Sequence, residues 1–239
     1  YKNFAFTLCH FWFAFFCGYS AQTVFDPMFI SVYNLFYTAA PVLALGVFDQ
    51  DVDDKHSLEY PQLYTPGHMN LFFNKREFLL SAVYGFYTSA VLFLLPYGIY
   101  HEAISSKGYV VSDYILLSNV VATILIIVVT VQVMLDTSYW TIFNHITIWG
   151  SLAWYFGLHC LYSVILPGTL LGSLLYAMQE PVFWLTTLLT STILMVPGVA
   201  WRFYFTDVYP TLADRVRLKQ RVTKRRSRVS ETMTVTQSA

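Results

Sequence analysis

The chain has 239 residues, of which 56% are hydrophobic and only 12% are charged. Soluble domains contain about 25% charged residues, so this composition excludes an ordinary soluble domain and favours helices that face lipid. The formal net charge is zero, but nine of the 14 basic residues lie at or beyond Arg202.

The chain begins with Tyr1 instead of Met, and an apolar segment follows almost at once. The pattern of a secretory signal peptide, with its basic start and small-residue cleavage site, is missing. We therefore interpret the sequence as a fragment whose upstream part is missing.

Six apolar segments are each long enough to cross the hydrocarbon core of a bilayer, about 30 Å, as a helix. The predicted spans are residues 3–25, 28–48, 77–100, 112–135, 141–165 and 181–206. Continuous apolar runs such as residues 120–131 lack the alternation of a transmembrane β-barrel strand. The sequence predicts an all-α membrane protein with a six-helix transmembrane domain, residues 1–206, and a basic cytosolic tail, residues 207–239.

The first two predicted spans each carry a polar face. Small or polar residues recur at helical spacing in both: Asn3, Thr7, His10 and Ala14 in the first, and Ser31, Asn34 and Thr38 in the second. Such residues favour close helix contact in a membrane, and the two faces could pair or line a shared path. Antiparallel packing should place Lys2 near Leu45 and Asn34 across from Cys17. Pro41 should kink the second span and free a backbone carbonyl.

A purely structural role is the alternative interpretation of the polar residues inside the spans. Lys2 fits a lysine that extends from the helix start to the membrane surface. Interhelical hydrogen bonds account for the four amide side chains, which are Asn3, Asn34, Asn119 and Gln132. His10 is interpreted as a packed polar residue, and Asp136 as a helix cap.

The acidic loop and the cysteines predict no metal site. The run that begins at Asp49 fails the pattern of a calcium-binding EF-hand loop, because its sixth residue is Asp54 and its twelfth is Tyr60. We interpret it as a solvated acidic turn with helix caps. The three cysteines, at positions 9, 17 and 160, lie in apolar runs without the spacing of a zinc site. Neither a bound metal nor a nucleic-acid partner is expected.

The distribution of Lys and Arg predicts the orientation in the membrane. Loop 49–76 and the tail hold almost all basic residues, so the positive-inside rule places both ends and this loop in the cytosol. The tail is amphipathic for two turns at most, and it is either a solvated flank or a membrane-binding segment. Phosphate on Ser227 or Ser230 would weaken its adhesion to anionic lipid.

Several short strings identify a known family. They are Tyr1-Lys2-Asn3-Phe4, Gly18-Tyr19-Ser20-Ala21-Gln22, Pro41-Val42-Leu43-Ala44-Leu45-Gly46-Val47-Phe48-Asp49-Gln50-Asp51-Val52, Leu135-Asp136-Thr137-Ser138-Tyr139-Trp140-Thr141 and Trp149-Gly150-Ser151. With these strings the chain resembles the C-terminal membrane region of the type IV P-type ATPases, the phospholipid flippases. The string at residues 48–52 most resembles the class 1 branch that is linked to cholestasis.

The resemblance implies that the six spans are the fifth to tenth helices of a ten-helix transporter. In the family, a Lys-Asn pair of the fifth helix and an Asn of the sixth lie in the lipid path, and these positions match Lys2, Asn3 and Asn34. The implied function is the membrane portion of an ATP-driven translocase that moves an aminophospholipid or related lipid from the outer to the cytosolic leaflet. ATP and Mg²⁺ would bind to domains absent from this chain, so the chain alone should contain no catalytic residue, bind no cofactor and be inactive.

The resemblance also implies partners and a location. The partners are the phospholipid substrate, membrane lipids and a two-span glycosylated accessory β-subunit, for which the outer loops 101–111 and 166–180 are candidate contacts. The location is the plasma membrane or the Golgi and endosomal membranes. Two alternatives remain: a truncated, catalytically inactive membrane scaffold, and an unrelated channel or receptor bundle. A channel would need polar positions on several helices, and only two carry a polar face.

Overall fold

A computed structural model of the protein describes residues 1–101, 114–165 and 173–237. The helices are α1 (Lys2–Phe16), α2 (Pro27–Val32), a π-helical turn (Tyr33–Tyr37), α3 (Ala39–Phe48), α4 (Asp54–Glu59), a 3₁₀ turn (Pro61–Tyr64), α5 (Thr65–His68), α6 (Lys75–Tyr100), α7 (Tyr114–Asp136), α8 (Ile142–Ile165), α9 (Ser173–Gln179), α10 (Pro181–Val208) and α11 (Leu212–Gln237). No strand occurs among the described residues, which confirms the all-helical prediction. Two compact units form: residues 1–49 with 75–198, and residues 50–74 with 199–239.

Four helical segments of the described residues are long and apolar enough to cross a membrane. They are Pro27–Phe48, Lys75–Tyr100, Tyr114–Asp136 and Pro181–Val208, and they coincide with four of the six predicted spans. Helix α1 has 15 residues, fewer than the about 20 that a full crossing needs. Helix α8 has 24 residues and is not among these four segments.

Helix α1 ends at Phe16, nine residues before the predicted end of the first span. Gly18, Tyr19 and Ala21 have positive φ angles of 61°, 58° and 61°, a conformation that a right-handed helix cannot contain. The chain then starts α2 at Pro27, where the carboxylate of Asp26 accepts a hydrogen bond from a backbone N–H of the first turn.

Helix α7 forms the centre of the first unit. Nearly all its side chains from Leu116 to Thr130 are buried. A helix that is apolar on every side has to be covered by its neighbours, and α6, α8 and α9 all pack against it.

Helix α1 packs along α6 at a close distance. A Cβ atom on Gly85 of α6 would lie 2.9 Å from the Cβ of Phe4, so only glycine allows this approach. The indole N–H of Trp12 donates to the hydroxyl of Ser89 at 3.1 Å. The buried residues of α1 differ from its predicted polar face: they are Ala5, Cys9 and Phe13.

Residues 27–48, which we call the irregular helix, do not form a continuous α-helix. The π-helical turn interrupts them, and Thr38 follows with φ −126°. Pro41 has no N–H, so the carbonyl oxygen of Tyr37 lacks its usual donor four residues ahead. The hydroxyl of Ser151 on α8 donates to this oxygen instead. The predicted free carbonyl is confirmed, and the irregular backbone begins at Tyr33, upstream of the proline.

The second unit joins loop 50–74 to the C-terminal helix α11. The guanidinium of Arg217 donates through Nε to the backbone oxygen of Asp51 at 2.6 Å and pairs with its carboxylate at 2.5 Å. The ammonium of Lys219 donates to the hydroxyl of Tyr60 at 2.7 Å, and this bond raises the pKa of Lys219.

Helix α11 has 26 residues. A pair of hydrogen bonds stabilises its start. The hydroxyl of Thr211 accepts from the N–H of Asp214 at 3.3 Å, and the carboxylate of Asp214 accepts from the N–H of Thr211 at 3.0 Å. This reciprocal pair is a capping box, which stabilises the first turn of a helix.

Candidate functional site

Lys2 lies near the start of α1 and is half-buried. Its ammonium donates to the hydroxyl of Thr38 at 2.7 Å, and this hydroxyl donates in turn to the carbonyl oxygen of Tyr33 at 3.0 Å. Thr38 is 3% exposed, so a single buried hydroxyl links the ammonium to the π-helical turn. We call Lys2, Tyr33 and Thr38 the Lys2 site.

Tyr33 closes the Lys2 site from the irregular helix. Its hydroxyl donates to the backbone oxygen of Lys2 at 3.3 Å. Its ring stacks on that of Phe6, with the ring centroids 4.7 Å apart. The two helices therefore meet through backbone and side-chain contacts alike.

The predicted depth of Lys2 is wrong, because Lys2 lies opposite Thr38 and not near Leu45. The early end of α1 is the reason. Lys2 lies 14 residues before Phe16, the last residue of α1. Counting the same 14 residues forward from Pro27, the first residue of the irregular helix, leads to Pro41. In an antiparallel pair with equal rise per residue, these positions lie at similar depth.

Asn3 and Asn34 are both exposed. Among the described residues neither amide side chain forms a hydrogen bond, so the predicted interhelical bonding is wrong for these two. Tyr33, the neighbour of Asn34, packs on Phe6, so Asn34 does not lie across from Cys17 as expected. Both asparagines directly follow residues of the Lys2 site in the chain, and their side chains are exposed.

Two other polar residues behave as predicted. Asn119 Oδ1 of α7 lies 3.1 Å from Nε2 of His159 on α8, an interhelical hydrogen bond between two buried groups. His10 bonds to the carbonyl of Phe6 in its own helix and packs edge-on against the stacked rings of Phe6 and Phe25.

A cavity of about 250 Å³ lies beside Lys2. Three valines line it together with polar residues, which are Tyr1, Lys2, Ser81, Tyr84, Gln132 and Asp136. A water molecule takes about 30 Å³ in the liquid, so the cavity has room for several. The amide of Gln132 donates to the carboxylate of Asp136 at 3.2 and 3.3 Å. Lys2 thus contacts Thr38 and also borders a space that contains a carboxylate.

Asp136 ends α7 and does not cap the start of the next helix. The hydroxyl of Thr141 does so, by accepting from the N–H of Asn144 at 3.3 Å.

Polar side chains hold both ends of the irregular helix. At its start, the hydroxyl of Tyr162 on α8 donates to the carboxylate of Asp26 at 2.7 Å. At its end, Asp49 Oδ1 accepts from the backbone N–H groups of Ser138 and Tyr139, at 2.9 and 2.7 Å. The predicted cap at the acidic loop exists, but it caps the turn between α7 and α8.

Sequence reasoning missed the partners of the site. It placed Thr38 on a polar face without pairing it with Lys2, and it gave Ser151 no role. The signal for Ser151 was Pro41, since a freed carbonyl inside a membrane needs a donor. The side chains of Ser227 and Ser230 lie outside the described residues, as do residues 102–113 and 166–172 of the two loops that were predicted to be outer loops.

Comparisons with known proteins give a consistent result. A family model described as the phospholipid-translocating P-type ATPase C-terminal region matches residues 1–211. The chain is 49% identical over 232 residues to a Homo sapiens protein named probable phospholipid-transporting ATPase IM, covering 94% of this chain and 20% of that protein.

Two further relatives from Homo sapiens carry related names. Identity is 48% over 234 residues to phospholipid-transporting ATPase ID, covering 94% of this chain and 19% of that protein. It is 42% over 225 residues to phospholipid-transporting ATPase IC, covering 90% of this chain and 18% of that protein. The chain spans about a fifth of the length of the curated relatives that it matches.

Proposed function

The chain belongs to the phospholipid-translocating P-type ATPase C-terminal family, and we propose that it forms the membrane transport portion of an ATP-driven phospholipid translocase. It is a multi-pass integral membrane protein. The family membership confirms the resemblance that the short strings carried. The proposed activity moves an aminophospholipid or a related lipid from the outer to the cytosolic leaflet.

The Lys2 site is the observation that carries this proposal. A phospholipid headgroup contains an anionic phosphate, which an ammonium and amide N–H groups bind through charge-assisted hydrogen bonds. The Lys2 ammonium is held at 2.7 Å by Thr38, and the neighbouring Asn3 and Asn34 present exposed amides. We propose that these three side chains contact the headgroup while the lipid tails stay in the bilayer.

Six spans are proposed for residues 1–206, corresponding to the fifth to tenth helices of a ten-helix transporter. Positive-inside bias supports a cytosolic position for both ends of the chain, for loop 49–76 and for the tail after residue 206. The class 1 branch linked to cholestasis, and a place in the plasma membrane or in Golgi and endosomal membranes, belong to the same proposal.

ATP and Mg²⁺ are proposed to act in other parts of the whole protein. In the described part of the chain, no three His, Cys, Asp or Glu side chains cluster in a way that could hold a metal ion. The bound nucleotide would supply the free energy, and the residues of this chain would hold the headgroup and exclude water. A two-span glycosylated accessory subunit that contacts the outer loops is proposed as a partner.

The experiment that tests the proposed function uses the full-length protein. Asn34→Ala and Lys2→Ala should each lower lipid-stimulated ATPase activity and lipid movement, with expression and autophosphorylation nearly unchanged. Losing one hydrogen-bond partner of a charged group costs roughly 1–3 kcal/mol. Lys2→Arg should restore activity in part, because the two cations differ in shape and hydration.

Phe11→Leu is the control, since Phe11 is 48% exposed on α1 and lies outside the Lys2 site. Normal lipid movement by Asn34→Ala, or a loss explained entirely by misfolding, would show that Asn34 has only a structural role.

A further inference from the structure

A hydroxyl on α8 acts on the Lys2 site through the backbone of the irregular helix. Ser151 is buried, with 5% exposure, and its hydroxyl donates to the carbonyl oxygen of Tyr37. Ser151 does not contact Lys2 or the exposed asparagines. It contacts the peptide group that joins Tyr37 to Thr38, and Thr38 holds the Lys2 ammonium.

The chemistry of this carbonyl explains why a donor from another helix is needed. In an α-helix the N–H of residue 41 would donate to the oxygen of residue 37, but residue 41 is a proline. Without a donor, a carbonyl inside a membrane loses several kcal/mol of hydrogen-bond energy, so the local backbone would rearrange to find another donor. A rearrangement at this peptide would move Thr38 directly.

The packing of the Tyr37 ring restricts the position of the peptide group between Tyr37 and Thr38. The ring of Tyr37 is 1% exposed and lies between Phe29 and Tyr155, with ring centroids 5.7 and 5.2 Å away. The ring fixes the side chain, and the Ser151 hydroxyl fixes the carbonyl. Together they set the direction in which Thr38 leaves the π-helical turn.

We propose that Ser151 is a positioning residue for lipid recognition, which sets the place of the Lys2 ammonium through Tyr37 and Thr38. This rests on the proposed function of the Lys2 site. The consequence is that loss of the Ser151 hydroxyl changes the affinity for phospholipid more than the maximal rate of turnover. A residue with a purely structural role would instead lower the amount of folded protein.

The test measures the ATPase activity of the full-length protein as a function of phospholipid concentration. Ser151→Ala should raise the half-maximal lipid concentration about three- to tenfold, with the maximal rate changed less than twofold. Ser151→Cys keeps a weaker donor of similar size, so its half-maximal lipid concentration should lie between those of the unchanged protein and Ser151→Ala. Thr147→Ala is the control on the same helix, because in the described part of the chain the Thr147 hydroxyl bonds only to carbonyls of α8.

A double-mutant cycle separates this role from general damage. Pro41→Ala restores an N–H that can donate to Tyr37, so the effect of Ser151→Ala should largely vanish in that background. The proposal is wrong if Ser151→Ala raises the half-maximal lipid concentration by the same factor with and without Pro41→Ala. It is also wrong if Ser151→Ala alone leaves that concentration unchanged.

Hydrogen exchange of a peptide that covers residues 33–43 gives a readout without transport. Exchange there should increase in Ser151→Ala and return toward the normal level in the double variant. If exchange increases in Ser151→Ala but the unchanged full-length protein shows no lipid-stimulated ATPase activity, the proposed function is wrong instead. Unchanged exchange together with an unchanged half-maximal lipid concentration would contradict the role of Ser151.

Discussion

Removing the hydroxyl of Thr38 tests the link between the irregular helix and Lys2 most directly. Thr38→Val keeps the shape of the side chain and removes its three hydrogen bonds, the one from the Lys2 ammonium at 2.7 Å and those to the backbone oxygens of Tyr33 at 3.0 Å and Asn34 at 3.4 Å. The ammonium loses its fixed acceptor and becomes free to adopt other rotamers, which have to be ordered again when a headgroup binds.

The magnitude follows from the bond to the Lys2 ammonium. A hydrogen bond to a charged group contributes about 1.5–3 kcal/mol, but Lys2 is only half-buried and borders a cavity of about 250 Å³ that offers other partners. We therefore expect a loss of about 1–2 kcal/mol in lipid binding. This corresponds to a five- to thirtyfold higher phospholipid concentration at half-maximal ATPase stimulation.

The assay compares variants of the full-length protein at matched expression. Thr38→Ser keeps the hydroxyl and should stay within a few-fold of the unchanged protein. Thr192→Val is the control, since Thr192 is exposed on α10 and, among the residues that the structure describes, its hydroxyl bonds only to the carbonyl of Leu188. A folded Thr38→Val protein with an unchanged half-maximal lipid concentration would refute the reasoning, because the Lys2 ammonium would then be positioned without Thr38.

Three further predictions concern other parts of the chain. Asp49→Ala removes the acceptor of two backbone N–H groups and should lower the stability of the full-length protein by about 1–2 kcal/mol in a thermal-unfolding assay, with Asp49→Asn in between. Equal melting temperatures for all three would contradict this. The isolated chain should show no vanadate-sensitive ATPase activity, which a direct phosphate-release assay checks. A peptide of the tail phosphorylated at Ser227 and Ser230 should bind anionic vesicles more weakly than the unmodified peptide, because each phosphate adds a charge of about −1.5 to −2; equal binding would exclude this switch.

Much of the helical framework could be predicted from hydropathy and from the position of proline. Segments such as 77–100 and 181–206 lie within one to two residues of the observed Lys75–Tyr100 and Pro181–Val208. The end of α1 could not be predicted in this way. The residues after Phe16 still include apolar side chains such as Val24 and Phe25. The helix stops because Gly18, Tyr19 and Ala21 adopt positive φ angles, which hydropathy does not register.

The early end of α1 also limits how much of the Lys2 site can be predicted from the sequence. The family strings identified Lys2, Asn3 and Asn34, and the two asparagines directly follow Lys2 and Tyr33 in the chain. The partners of Lys2 depend on the register between two helices, and the register depends on where the turn between them starts. A connection eight residues longer than predicted shifts the register by more than two helical turns. Hydropathy and family strings do not determine this register, so they could not predict that Lys2 contacts Thr38.

The irregular helix combines features that usually destabilise a helix with contacts that compensate for them. A π-helical turn and a proline inside a helix leave backbone groups without their regular partners, and such turns recur at functional sites. Here Ser151 satisfies the carbonyl that Pro41 leaves free, while Tyr162 and the turn between α7 and α8 hold the two ends through Asp26 and Asp49. The contacts with the α7–α8 region fix the backbone, and Thr38 holds the Lys2 ammonium while Asn34 stays exposed. A transport path needs polar groups that are held in place yet bind a passing headgroup weakly. An irregular backbone supported by neighbouring helices supplies such groups, whereas a regular helix would use the same carbonyls for its own hydrogen bonds.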